Sequence, residues 1–314
     1  MEKSGGASEI ASQGLTAAEK RGVAAGVFCY LMWGTFPLYW KLLADVDPLE
    51  VIAHRIIWCF ATTFIFCMVA RLDLRGLFAQ PRAWRYLVPA AIIITLNWSI
   101  YIFAVDIERV VETAIGYYIN PLVSIALGML VFRERLTPLK GAAVALCAIG
   151  VMFFTVNYGQ FPWIAIALAF SFGAYGAIKK KAGYPAVSAL AFENTVMVAP
   201  AIVFAIVLAH VTGTHAFAVH LDTPQGAYLT ALLILGGPAT AAPLILFAKA
   251  ANSIPLSLLG FIQYLSPTLA LLTGVFLFGE PFTLAHGVCL GCIWTGIALV
   301  ILDTMHAGRK KRDG

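Results

Sequence analysis

Apolar residues fill ten long segments of the chain, and short polar or charged stretches separate these segments from one another. Each segment is close to the ~20 residues that an α-helix needs to cross the hydrocarbon core of a bilayer. The pattern therefore predicts an all-α integral membrane protein with ten transmembrane helices. The predicted spans are 22–43, 51–70, 86–105, 111–132, 139–156, 161–178, 187–209, 227–247, 254–278 and 284–302.

The composition agrees with this interpretation. Hydrophobic residues make up 61% of the chain and charged residues only 12%, whereas an average soluble domain is about a quarter charged. The net charge of +5 would suggest a nucleic-acid partner in a soluble protein. Here the cations form short clusters between apolar segments, where they act as topology signals. We therefore expect the lipid bilayer as a partner and no nucleic acid.

Lysine and arginine are divided unevenly between the two sets of connections. If the N-terminus is cytoplasmic, all of these cations except Lys41, Arg55 and Arg109 lie in cytoplasmic segments, which is eighteen of twenty-one. Because cytoplasmic loops carry an excess of Lys and Arg, the tails 1–21 and 303–314 are both predicted to be cytoplasmic. Residues 1–21 lack the apolar core of a secretory signal, so the first span is expected to be retained.

The second half of the chain repeats features of the first half. At an offset of 146 residues, Tyr, Pro, Gly, Phe, Glu and Thr positions of spans four and five recur in spans nine and ten, and an offset of 139 extends the match to spans one and six. The predicted units are 22–156 and 157–302, each of five spans. An odd number of spans inserts the second unit with inverted topology, as in many secondary transporters. Chance coincidence of Gly and Pro in membrane helices is the alternative. The residues matched at 146 are Tyr118/Tyr264, Pro121/Pro267, Gly128/Gly274, Phe132/Phe278, Glu134/Glu280, Thr137/Thr283, Gly141/Gly287 and Gly150/Gly296.

Four stretches of the sequence carry a resemblance to a known family. They are WGTFPLYWK (Trp33–Lys41), EVIAHRIIW (Glu50–Trp58), GYYINPL (Gly116–Leu122) and LGFIQYLSP (Leu259–Pro267), with Phe278, Gly279 and Glu280 following. Together they make the chain similar to the EamA-type branch of the drug/metabolite transporter superfamily over nearly its whole length. The resemblance implies a ten-helix permease of the cytoplasmic membrane, with two five-helix repeats and a central cavity. It implies no particular substrate.

Ionisable residues inside the spans are the first candidates for a transport site, because each costs about 2.5 kcal/mol or more at membrane depth. His54 and Arg55 lie about one turn into span two, and the 139-residue offset matches them with Glu193 and Asn194 of span seven. His54 and Arg55 could bind an acid group, while Glu193 could bind an amine or a coupling proton. Alternatively, Arg55 extends to the interface, or Arg55 and Glu193 only brace helices.

Polar and aromatic side chains in three other spans are further candidates for the cavity wall. Asn97 and Tyr101 are four residues apart and share a helical face, although Asn97 could instead bond a neighbouring helix. Polar residues also precede a proline in spans four and nine, where they could line a cavity or hinge, or only satisfy backbone that the proline leaves unbonded. These residues are Tyr118 and Asn120 before Pro121, and Gln263 and Tyr264 before Pro267.

The sequence contains none of the motifs that would indicate a membrane-embedded enzyme or a nucleotide-driven pump. We find no H-E-x-x-H helix, no G-x-S-x-G turn and no phosphate-binding Gly-rich loop. No cofactor and no metal site is expected, and Glu134 and Glu280 at matched span ends are interpreted as structural. The predicted function is a secondary-active permease that exports a small amphipathic or zwitterionic metabolite or drug-like molecule. A membrane enzyme, a channel or a non-transporting sensor are the alternatives.

The predicted orientation can be tested with reporter fusions that are active on only one side of the membrane. Fusions within 71–85 and at Lys179–Lys181 should report a cytoplasmic location, because these connections carry the clustered cations. A fusion near Asp222 should report the opposite side. An extracytoplasmic signal from either basic connection would contradict the ten-span topology.

Overall fold

The computed structural model describes residues 16–107, 109–213, 215–279 and 282–310. Over these residues the chain is helical, with short connections. The helices are α1 (Ala17–Lys41), α2 (Pro48–Val69), α3 (Leu74–Phe78), α4 (Pro81–Asp106), α5 (Val110–Phe132), α6 (Pro138–Asn157), α7 (Trp163–Ala182), α8 (Ala186–Thr212), α9 (Pro224–Ser253), α10 (Leu256–Gln263), α11 (Leu265–Phe278) and α12 (Leu284–Lys310).

The prediction of ten membrane helices is confirmed when α10 and α11 are counted as one span. Nine described segments, with Leu256–Leu277 taken as one, are long and apolar enough to cross a membrane. The tenth, α7, has 20 residues and ends in Lys179, Lys180 and Lys181, which lower its hydropathy. The short helix α3 was not predicted; it lies in the connection between α2 and α4.

Local sequence signals fix where several of these helices begin. Asp47, Thr137 and Thr223 each accept a hydrogen bond from a backbone N–H of the first turn, and a proline follows each of them. A capping side chain and a proline at the first helical position both favour helix initiation, because the first amides have no partner within the helix. Such ends are required beside a membrane, where an unbonded backbone group is costly.

The packing of the helices follows the internal repeat. In the described part of the chain, α6 packs against α12 and α2 against α8, so each of these pairs joins counterparts from the two units. The pair α5–α7 corresponds to α1–α11, and α1–α9 corresponds to α4–α7. Exchanging the two units therefore maps these helix pairs onto one another, as the predicted inverted repeat requires.

The α6–α12 contact depends on small residues at matched positions. A Cβ atom at Gly296 would lie 2.8 Å from Cys147 Sγ and 3.1 Å from the backbone oxygen of Ala143. A Cβ atom at the matched Gly150 would lie 2.6 Å from Cys292 Cβ. Small residues let helix backbones approach closely in a membrane, where packing rather than water exclusion drives association. Cys147 and Cys292 act as packing residues at this contact.

Replacing Gly296 by leucine is expected to lower the stability of the protein by about 1–3 kcal/mol, because the contact with Cys147 leaves no room for a side chain. Gly291→Leu on the same helix is the matched control, since a Cβ atom there meets nothing within 4 Å. Thermal unfolding in detergent measures both. Equal melting temperatures for the two variants would contradict the close α6–α12 contact.

Candidate functional site

The Arg55 guanidinium lies inside the bundle between two tryptophan rings. Its central carbon is 4.5 Å from the ring centroid of Trp40 on α1 and 4.8 Å from that of Trp98 on α4. Its Nε donates a hydrogen bond to Thr240 Oγ1 on α9 at 3.2 Å. None of the ion pairs among the described residues includes Arg55. The charge is therefore stabilised by two aromatic faces and one hydroxyl group.

Three tyrosines lie in the neighbourhood of the guanidinium. Tyr39, Tyr101 and Tyr117 lie close enough to Arg55 to interact with it electrostatically. The rings of Tyr101 and Tyr117 are 6.2 Å apart, and Tyr117 keeps 45% of its surface exposed. The other rings around Arg55 are only partly buried, so the protein does not fully enclose this position. We call the following residues the Arg55 site: Tyr39, Trp40, Arg55, Trp98, Tyr101, Tyr117 and Thr240.

The Arg55 site lies nearer one end of the bundle. We call that end the first face; it carries the connections 42–47, 158–162 and 215–223. The second face carries 70–80, 133–137 and 183–185. Arg55 is the eighth residue of α2, which starts at the first face, and Glu193 is the eighth residue of α8, which starts at the second. Each is thus about 10 Å from its helix start, at matched depths from opposite faces.

Glu193 is paired, in contrast to Arg55. Its carboxylate accepts hydrogen bonds from Lys179 Nζ at 2.5 Å and from the Tyr175 hydroxyl at 3.3 Å. Lys179 and Glu193 are 3% and 1% exposed, so this is a buried ion pair between α7 and α8. The pair places Glu193 against Lys179 rather than against Arg55. A further role of Glu193 towards an amine or a proton stays a prediction.

Closely packed aromatic rings fill the bundle beside this ion pair. Trp33, Phe172 and Phe247 have ring centroids between 5.2 and 5.8 Å apart, and Tyr175 stacks on Phe247 at 5.7 Å. Tyr30 packs on Trp33 at 5.5 Å. Tyr30, Tyr175 and Phe247 are at most 2% exposed. These rings fill the interior of the bundle next to the Lys179–Glu193 pair.

A second set of contacts joins helix ends at the second face. Glu134, just after α5, accepts backbone hydrogen bonds from Leu256 at 2.7 Å and Ser257 at 2.8 Å at the start of α10. Lys180 Nζ lies 3.8 Å from Glu134 and donates to the backbone oxygen of Ile254 at 2.6 Å. The carboxylate thus caps α10. The structural role expected for Glu134 agrees with these contacts, while Glu280 lies outside the described residues.

The structure places His54 and Arg55 on different sides of α2. The His54 ring packs against Phe217 with the ring centroids 4.4 Å apart, and its Nε2 lies 3.8 Å from Glu50 Oε1. It therefore faces the 215–223 connection and α8 instead of the Arg55 site. Asn194 donates to Cys59 Sγ at 3.1 Å and to Thr63 Oγ1 at 3.4 Å, so it links α8 to α2.

Asn97 and Tyr101 have different surroundings despite their shared spacing. Asn97 Nδ2 donates to the backbone oxygen of Leu168 at 2.9 Å and to Ser171 Oγ at 2.8 Å. These bonds join α4 to α7. They correspond to the alternative prediction for Asn97, in which its side chain bonds a neighbouring helix. Tyr101 belongs to the Arg55 site.

The residues before the two prolines are buried, and the two helices differ. Tyr118 packs on Phe154 at 5.6 Å, and the Tyr118 hydroxyl and Asn120 Oδ1 have no hydrogen-bond partner among the described residues. Gln263 Oε1 accepts from the Tyr30 hydroxyl and from Ser124 Oγ, both at 3.4 Å.

Helix α5 runs unbroken through Pro121, whereas span nine is divided at Tyr264, three residues before Pro267. Tyr264 itself is fully buried. A hinge at either proline stays a prediction.

Sequence reasoning missed most of the side chains that surround Arg55. Tyr39, Trp40 and Thr240 were not selected, and Tyr118 was preferred over its neighbour Tyr117. Lys179 was read only as a topology signal. One usable signal was the spacing of Tyr175 and Lys179, which are four residues apart and so share a helical face. Nothing in the described part of the chain groups three His, Cys, Asp or Glu side chains that could hold a metal ion.

Comparison with known proteins decides the family. The profile of the EamA-like transporter family matches the chain twice, over residues 20–156 and 162–302. The chain belongs to the EamA-like transporter family. The two matches cover the two halves of this EamA-like protein. These are the same two units whose helix pairs correspond to one another in the packing described above. Family membership makes it a membrane transporter and agrees with the absence of enzyme motifs.

Named relatives extend over almost the whole EamA-like chain. An uncharacterized transporter, YojE of Bacillus subtilis, is 39% identical and covers 89% of this chain and 93% of its own length. Protein RarD of Streptomyces exfoliatus is 36% identical over 94% of this chain, and protein RarD of Escherichia coli 33% over 93%. A solved crystal structure with 19% identity and a TM-score of 0.69 covers 90% of this chain and 97% of that one, and supports the fold.

Removing the charge of Glu193 should strongly destabilise the protein. Glu193→Gln leaves Lys179 buried without its counter-charge, which typically costs about 3–5 kcal/mol. The double variant Lys179→Met/Glu193→Leu should recover most of that loss, because it removes both buried charges. Thermal unfolding in detergent compares the three proteins. A double variant no more stable than Glu193→Gln would show that the ion pair does not account for the loss.

Proposed function

We propose that this EamA-like protein is a secondary-active permease that exports a small amphipathic molecule bearing an acid group, and that Arg55 binds this group. The observation that carries the proposal is the Arg55 guanidinium, which lies between Trp40 and Trp98 without an ion-pair partner in the described chain. A buried charge is costly unless something neutralises it. An anionic group of the cargo would supply the missing counter-charge.

The guanidinium has further N–H donors that can bind such a group. Arginine carries five N–H donors in a planar fork that matches the two oxygens of a carboxylate. Thr240 uses the Nε donor, and the terminal nitrogens have no hydrogen-bond partner in the described residues. A carboxylate can therefore bind in the plane of the guanidinium, between the faces of the two tryptophans. The surrounding tyrosine rings would contact the apolar body of the cargo.

The arrangement of the two faces supports alternating access. The Arg55 site lies nearer the first face and its rings are only partly buried, while the Lys179–Glu193 pair and the Glu134–Lys180 contacts join helices near the second face. We propose that the first face is extracytoplasmic and the second cytoplasmic, with both termini in the cytoplasm, in agreement with the cation distribution. The structure would then represent the outward-facing state, from which an exported molecule leaves.

A coupling proton fits the same arrangement. Protonation of Glu193 would remove its charge, weaken the pair with Lys179 and so favour separation of α7 from α8 at the second face. Opening there would expose the Arg55 site to cytoplasmic cargo. The proposal thus links proton binding at Glu193 to access, while Arg55 holds the cargo.

The cargo can be found by comparing metabolites in the medium of cells that express the wild type, Arg55→Ala or Arg82→Ala. Arg82 is an exposed arginine on α4 and provides the matched control. Organic acids exported by the wild type and by Arg82→Ala should not accumulate with Arg55→Ala. Export of the same acids by Arg55→Ala at wild-type rates would overturn the proposal.

The identified acid then allows a quantitative test in proteoliposomes. Loss of a hydrogen-bonded charge is worth about 1.5–3 kcal/mol, so Arg55→Ala should raise KM roughly 10-fold or more. Arg55→Lys should bind weakly too, because lysine lacks the planar fork. Flux should saturate and show counterflow, which distinguishes a carrier from a channel. Unchanged KM in both variants, with melting temperatures like the wild type, would contradict the role of Arg55.

A further inference from the structure

A separate cavity lies on the other side of α2 from the Arg55 site. It has a volume of about 310 Å³ and lies between α2, α8 and the 215–223 connection. That volume is at the lower end of the ~300–1,000 Å³ typical of small-molecule pockets. Its walls are mainly apolar and include Ile57, Ala205 and Phe217.

Two polar rings on one face of α2 also line this cavity. His54 and Trp58 are four residues apart, so they project from the same side of the helix. His54 Nδ1 and Trp58 Nε1 are both buried and have no hydrogen-bond partner among the described residues, and His54 is only 8% exposed. Buried polar nitrogens are normally bonded, because an unmade bond costs about 1–3 kcal/mol. Two of them beside one cavity point to a ligand.

A carboxylate holds the 215–223 connection in place over the cavity. Glu50 accepts backbone hydrogen bonds from Ala216 at 2.9 Å and 3.0 Å and from Phe217 at 2.9 Å. These bonds fix the 215–223 connection over α2. The carboxylate would repel an anionic ligand group, and the described lining contains no lysine or arginine, only His54 and the exposed His215 as basic side chains. A neutral ligand therefore suits this site.

The orientation of His54 defines the hydrogen bonds that a ligand needs. Its Nε2 faces Glu50 Oε1 at 3.8 Å, which favours the tautomer with the proton on Nε2. His54 Nδ1 is then an acceptor, while Trp58 Nε1–H is a donor. A neutral hydroxyl or primary amide can donate to the first and accept from the second.

We propose that this cavity binds small neutral amphipathic alcohols or amides that enter from the bilayer. The apolar body occupies the space between α2 and α8, and the polar head bonds to His54 and Trp58. The lining includes Ile202 and Ile206, both exposed on the apolar side of α8, so the cavity has an opening on the surface that we expect to face lipid. The proposal is independent of the acid-binding role of Arg55.

Photolabelling of the purified full chain tests the site. The probe is a diazirine-bearing octanol, and the labelled residues are located by mass spectrometry in detergent and in phosphatidylcholine nanodiscs. Saturable labelling of α2 and α8 around Ile57 and Ala205 is expected in both. Ala205→Phe, which fills the cavity, should reduce it roughly 10-fold. Trp58→Phe should reduce it several-fold, whereas Trp294→Phe on the exposed side of α12 should leave it unchanged.

Three results would overturn the proposal. One is labelling spread evenly over lipid-exposed helices or unaffected by Ala205→Phe. Another is labelling that appears only in detergent, because a phospholipid chain would then be the occupant in nanodiscs. The last is equal labelling by the diazirine-bearing octane, which has no polar head, since His54 and Trp58 would then play no part. Melting temperatures of the variants distinguish lost binding from lost folding.

Discussion

The need to satisfy every buried charge and backbone group without water governs this structure. Near the second face, other side chains of the protein satisfy these groups. Lys179 neutralises Glu193, and Glu134 with Lys180 bonds the ends of α9 and α10. Near the first face Arg55 has only aromatic faces, one hydroxyl and the dipoles around it. The buried charges near the second face are thus paired within the chain, whereas Arg55 near the first face is available to a ligand.

This difference arises from two units of the same architecture. At the 139-residue offset Arg55 corresponds to Asn194, His54 to Glu193 and Trp40 to Lys179. The position that holds a stacking tryptophan in one unit therefore holds the counter-ion in the other. Because the units are inverted, these matched sets lie near opposite faces, and closure of one face need not resemble closure of the other. The packing pattern is symmetric, while the chemistry inside it is not.

The sequence predicted the spans and their arrangement well because those features depend on long averages. Hydropathy over about 20 residues locates a helix, and an internal match at fixed offsets locates its counterpart. Side-chain contacts depend instead on how each helix is rotated about its axis. The sequence of a helix that is apolar on all sides does not reveal this rotation, because lipid and protein both contact apolar side chains. His54 and Arg55 were grouped because they are adjacent, yet adjacent helical residues point about 100° apart. For the same reason, Tyr118 was selected as a candidate in place of its neighbour Tyr117.

The two sides of α2 now have distinct chemistry, and this bears on how one helix serves transport. Arg55 faces α1, α4 and α9, where an acid group can bind between rings. His54 and Trp58 face α8 and the bilayer, where a neutral head can bond. The α2–α8 pair maps onto itself when the two units exchange. Any movement that changes access to the Arg55 site by shifting one unit against the other must therefore also change the space between α2 and α8. A molecule in that space would favour whichever state accommodates it, because a ligand shifts an equilibrium by its difference in affinity for the two states.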